Sequence, residues 1–168
     1  MSHEISCRNL TLSEQGATAV LPPRPSEHRV QFYSSAPFLC EAVCGFVSEG
    51  LRDGQAAVLI ASGSHLDGIL GGFAARGVDA EAARADGRLR IIDSDRLVEQ
   101  IVVDGNCQPD LFRRHVASLF LDGREGVRAS RAYCEMVDRL WQQGRRQAAS
   151  RIEELWNELA ARCSLSLL

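Results

Sequence analysis

Ala56-Ala57-Val58-Leu59-Ile60-Ala61 is the most constraining stretch of this chain: six apolar residues in a row, closed by Ser62-Gly63. A half-buried strand alternates apolar and polar residues; an unbroken apolar run of strand length belongs to a strand covered on both faces. Such a strand needs helices above and below it, and the flanking text supplies them. Ser34 or Ser35 can cap a helix that has Pro37 in its first turn and carries Cys40, Val43, Cys44, Val47 and Leu51 on one face. After the run, Ser64 and Asp67 form a capping-box-like start to a second helix, which ends near Gly77.

The rest of the chain repeats this alternation. A strand is expected over 28–33, a short helix over 79–85, a strand over 89–92 closed by Asp93, helices over 95–103 and 109–121, and a weak strand over 127–132. Helices over 134–143 and 146–162 and a strand at 165–168 complete the pattern. Strands alternating with helices predict an α/β fold with a mostly parallel sheet and helices on both faces. Residues 1–26, ending in Leu21-Pro22-Pro23-Arg24-Pro25, read as a flexible tail or linker, and 27–168 as one domain.

Composition narrows the chemistry. All 19 basic residues are Arg. Without Lys there is no Schiff base, no Lys general base and no P-loop Lys. A net charge of -3 argues against a nucleic-acid footprint. No stretch reaches the ~18 apolar residues of a membrane span. The beginning of the chain does not have the layout of a signal peptide, so a cytoplasmic protein with reduced cysteines is expected. The six cysteines (7, 40, 44, 107, 134 and 163) fit no zinc spacing, the four histidines are scattered, and G-x-S-x-G, H-E-x-x-H and G-x-G-x-x-G are absent. No metal, no cofactor and no catalytic residue is expected.

Ligands of open parallel sheets bind at the carboxyl ends of the strands. That rule collects Tyr33, Ser34 and Ser35; Ser62, Ser64 and His65; Asp93 and Ser94; and Tyr133, Cys134 and Glu135. Each has a structural alternative. Ser64 is a natural helix cap, His65 a natural surface residue, and Glu135 a first-turn acid that suits a helix dipole. Cys134 stands at a strand-to-helix junction, where a helix N-terminus lowers a thiol pKa. Cys40 and Cys44 have the spacing of a soft-metal clamp, but they continue an apolar face and read as core. Trp156 reads as core on the stripe Ala148, Ile152, Leu155, Trp156, Leu159 and Cys163, and Trp141 is read the same way with Val137 and Leu140.

Three blocks carry a family resemblance. The first is His28 with Tyr33, the second Tyr133-Cys134-Glu135-Met136-Val137-Asp138-Arg139-Leu140-Trp141, and the third Ile152-Glu153-Glu154-Leu155-Trp156-Asn157-Glu158-Leu159. They resemble the H-x-x-x-x-[FY], [YF]-G-E-M-V-x-x-L-W and L-E-x-L-W-N-x-L signatures of the MEDS, or DcmR-like sensory, domains. Cys134 replaces the usual Gly, and Ile152 replaces Leu. The text from Phe46 to Gln55 and from Gly87 to Asp93 is similar to KaiC-like ATPases, but Phe32 to Leu39 stands where their Gly-rich loop and Lys would be.

The resemblance implies a degenerate, three-layer RecA/KaiC-like domain that is not an enzyme. It would bind a small molecule, suggested to be hydrocarbon-derived, and signal to a histidine kinase or transcription regulator, with homo-oligomers allowed. It would use no nucleic acid and no membrane. Together with the strand-end rule it nominates His28, Tyr33, Ser35, Ser64, His65, Asp93, Cys134 and Glu135 as ligand-binding residues. Removing Glu135 is expected to weaken binding and leave the domain folded. The competing readings are an oligomerising interaction scaffold and a thiol or soft-metal sensor.

Overall fold

The structure is a computed structural model that describes residues 35–121 and 130–168. The expected tail, the expected strand at 28–33 and the first residues of the 127–132 strand lie outside the described residues.

Four parallel strands form the main sheet in the order β2 (Leu89–Asp93), β1 (Ala56–Ala61), β5 (Ser130–Cys134) and β6 (Leu165–Leu167). The apolar run is therefore β1, interior to the sheet, and it is buried on both faces. Ala57, Leu59 and Ala61 point to one layer, Val58 and Ile60 to the other. The first layer is α1 (Ala36–Arg52), α2 (Gly63–Phe73) and α3 (Ala80–Ala85), which pack Val43, Val47, Ile69, Phe73 and Ala83 against that side. The second layer is α4 (Ser94–Ile101), α5 (Pro109–Phe112), α6 (Ser118–Leu121), α7 (Met136–Gln142) and α8 (Arg146–Ala160). This is the expected three-layer α/β architecture.

Local chemistry explains the boundaries. Pro37 sits in the first turn of α1, where its missing N–H costs nothing. Asp79 and Asp93 cap α3 and α4 by accepting hydrogen bonds from Ala82 N (2.9 Å) and Arg96 N (2.8 Å). Gly77 follows the turn after α2 at φ 71°, a conformation that suits Gly.

Two expectations are revised. The helix read over 95–103 stops at Ile101, where Val102–Val103 (β3) pairs antiparallel with Asn106–Cys107 (β4). Asp104 and Gly105, both at positive φ, make that turn, an Asp-Gly hairpin signal. The helix read over 109–121 is broken by a π-helical turn at Arg113–Ala117.

Trp156 is buried in the second layer, with Phe112 and Phe120 packed edge-on at 5.5 and 5.8 Å between ring centroids. Trp141 departs from its core assignment. It is 48% exposed, whereas Met136 and Leu140 on the same helix are fully buried.

Candidate functional site

Register builds the site. β1 pairs with β2 up to Ala61↔Asp93 and with β5 up to Ile60↔Cys134. Three strands thus end almost level, and the residues that follow them, Ser62, Ser94 and Glu135, arrive together. Ser62 is the N-cap of α2, Ser94 opens α4, and Glu135 is the N-cap of α7.

Glu135 is the hub. Its Oε1 accepts hydrogen bonds from Ser62 N (2.8 Å) and from Ser62 Oγ (2.9 Å). Ser94 Oγ lies 2.9 Å from that oxygen and 3.0 Å from Ser62 Oγ, so its single hydrogen can serve either acceptor. Glu135 Oε2 lies 3.0 Å from His65 Nδ1 in the first turn of α2. A carboxylate facing Nδ1 selects the form with hydrogen on that nitrogen. The Glu135 main-chain N–H donates to Ile60 O at 3.1 Å, which fixes the hub to the end of β1.

The hub is buried: Ser94 is 0% exposed, Glu135 5% and Ser62 7%, while the His65 side chain keeps 26% of its surface open. Burying a carboxylate is costly unless its oxygens are satisfied, and these two have four neighbouring donor groups. Cys40 closes the α1 side. Its thiol donates to His65 O at 3.6 Å, and burial first, the Glu135 charge second, push that thiol up from its ordinary pKa.

Of the eight nominated residues, His65 and Glu135 are brought together. His28 and Tyr33 lie outside the described residues. Ser35 is the exposed N-cap of α1, with no side-chain cap bond. Ser64 lies inside α2 rather than at its cap, because the helix already starts at Gly63. Asp93 spends its side chain on capping α4. Tyr133, collected by the strand-end rule, is buried in the α1-side core.

Cys134 is corrected most sharply. It packs against the second-layer core, and burial drives its thiol up to about 12, outweighing a hydrogen bond from the Met136 backbone. The helix N-terminus does not make it reactive. Glu135 also bears on stability. Its loss would leave the Ser62 N–H and the Ser62 hydroxyl without their acceptor, while Ser94 Oγ can still donate to Ser62 Oγ, at about 1–3 kcal/mol for each buried group left unsatisfied.

Sequence reasoning placed Ser62 and Ser94 at the strand ends but left them out of the ligand set. The available signal was a Ser directly after β1 and another directly after the Asp that ends β2. Arg131 went unnoticed. It is 3% exposed on β5, donates from Nε to Gln55 Oε1 (2.8 Å) and from Nη1 to Phe46 O and Glu49 Oε2 (2.7 Å each), and lies over the Phe46 ring.

Among the described residues no group of three or more His, Cys, Asp or Glu side chains is arranged to hold a metal ion. Nor is any helix there long and apolar enough to cross a membrane. No curated protein and no solved structure matches the chain significantly. The family model for MEDS, the methanogen/methylotroph DcmR sensory domain, matches residues 27–168. With that match over nearly its whole length, and a three-layer α/β fold, the chain belongs to the MEDS family of sensory domains.

Proposed function

We propose that this domain senses a small molecule at the strand ends, with His65 as the contact and Glu135 as the part that transmits occupancy. One observation carries the reading: a single buried carboxylate holds the starts of α2, α4 and α7, and its partly exposed partner is His65. A ligand that takes hold of His65 competes for Oε2 and changes how firmly α2 is tied to the other two helices. For this to signal, the ligand must bind one arrangement better than the other.

The reading is non-catalytic, which the lack of any Lys to grip a phosphate supports. A hydrocarbon-derived ligand is what the family resemblance suggests. The receiver of the signal, by family resemblance, is a histidine kinase or a transcription regulator.

The test is native mass spectrometry of the freshly purified chain against its denatured mass, with His65→Asn prepared in parallel. Asn keeps a donor toward Glu135 and removes the rest of the imidazole. Extra mass on the wild-type chain that is lost on denaturation and missing from the variant supports the site. Equal retention by both would move the ligand elsewhere. A bare mass for both, with unchanged circular dichroism, would favour the scaffold reading.

A further inference from the structure

We propose that the turn between α7 and α8 is a docking surface for an acidic, partly apolar segment of a partner protein. Trp141 is its anchor, 48% exposed at the end of a helix whose other large apolar residues, Met136 and Leu140, are buried. The Arg146 guanidinium stands over the Trp141 ring, 5.5 Å from its centroid. The ring is thus held in place at an exposed site.

Charge identifies the partner. Between Asp138 and Glu153 the chain has four arginines, Arg139, Arg145, Arg146 and Arg151, and no carboxylate. Arg139 is paired with Asp95 at 2.7 Å and Arg151 with Glu154 at 2.6 Å. Arg145 and Arg146 have no ion-pair partner among the described residues. The nearest acid in the chain before Trp141, Asp138, is engaged by Gln142 Nε2 at 2.7 Å. An uncompensated guanidinium on an open indole, next in the chain to a second at Arg145, on a chain of net charge -3, makes a local positive patch on an acidic molecule.

Trp and Arg are the residues that most often dominate binding energy at protein interfaces, and unpaired rim charges attract complementary partners. A nucleic acid fits less well, because its affinity comes from neutralising many phosphates and the rest of this chain repels them. The surface is also mechanically connected to the hub. Glu135 caps α7 and Trp141 ends the same short helix, so a partner on Trp141 grips the element that the hub holds. The surface itself does not depend on which molecule is sensed, or on whether one is.

The probe is a capped peptide of alternating glutamate and leucine, titrated against the intact chain while Trp emission and acrylamide quenching are followed. Trp156 is buried and contributes a constant background. The acidic peptide should shift the exposed component to the blue and shield it from quencher. The Arg145→Glu/Arg146→Glu double variant, at one half-exposed and one exposed position, should bind about tenfold more weakly or worse. Raising the salt from about 50 to about 500 mM should weaken binding several-fold. Equal response to a lysine–leucine peptide, tighter binding of a single-stranded oligonucleotide, or no response up to about millimolar peptide, where even a weak contact of about -4 kcal/mol would register, would each overturn the proposal.

Discussion

Arg131 and Glu135 are two buried charges four residues apart on the same strand, near its start and just past its end, and they are satisfied in opposite ways. Arg131 is neutralised by charge. Glu49 lies at 2.7 Å and Asp53 at 3.9 Å, both on partly exposed side chains at the end of α1, with the Phe46 carbonyl completing the set. Glu135 is surrounded by neutral donors, a backbone N–H and two hydroxyls, and has one ionisable hydrogen-bond partner among the described residues, His65. The first arrangement is a staple whose partners water can also solvate. The second is a hub whose donors are themselves mostly buried. Two buried charges can therefore look equally polar in sequence and differ in which side bears the cost of change.

That contrast can be broken by substitution. The largest effect is expected for Glu135→Ala, about 3–5 kcal/mol of lost stability, since the buried Ser62 N–H and hydroxyl are orphaned at once. Glu135→Gln keeps an acceptor for the Oε1 donors and should cost about 1 kcal/mol. Urea unfolding of the pair separates the two, and equal losses would show that the donors are not what the carboxylate serves. Arg131→Met comes next at about 2–3 kcal/mol, because Glu49 and Asp53 can return to water while the buried Phe46 carbonyl cannot.

Gly50→Ala sharpens the same point. A Cβ there would stand 2.6 Å from Arg131 Cδ, which predicts about 1–3 kcal/mol of overpacking. In an Arg131→Ala background, which removes Cγ, Cδ and Nε, most of that cost should vanish. A double-mutant cycle with additive losses would show that Gly50 serves some other purpose.

The smallest effect lies in the thiols. Burial raises Cys134 to about 12 and Cys107 to about 11, from an ordinary value of 9.0. Both should resist iodoacetamide at pH 8 in the folded chain and react once urea unfolds it. Because the folded chain holds these protons more tightly, the stability they confer is complete below pH 9 and declines as pH rises from there toward 11 and 12. Rapid alkylation of native Cys134 would place it in the site after all.

Much of this was legible from residue order. The β1 run announced its own burial, and the Pro in α1 and the helical stripes placed most of the described elements within a few residues, whereas the cap read at Ser64 belongs to Ser62. The hub was half legible, because the strand-end rule supplies a level in the fold and not the direction in which a side chain points. Ser62 and Ser94 turn inward onto Glu135, while Asp93, next to Ser94, and Cys134, next to Glu135, turn away to a cap and to the core. Arg131 was illegible, since its four partners come from α1 and the turn after it, some 80 positions earlier. Trp141 shows the limit of periodicity: a stripe that continues through Leu140 does not say where the neighbouring layer stops.

One contact in the first layer sets a dimension that the rest of that layer must respect. A Cβ on Gly68 would come 2.7 Å from Cys40 Sγ, and one on Gly72 would come 2.8 Å from Cys44 Sγ, so α1 and α2 are spaced by one sulfur atom facing a bare backbone at two successive turns. That seam acts as a gauge. A methyl group added to either glycine, or an oxygen or alkyl group added to either thiol, is too thick for it, so either the sulfur swings aside or α2, whose first turn carries His65, shifts.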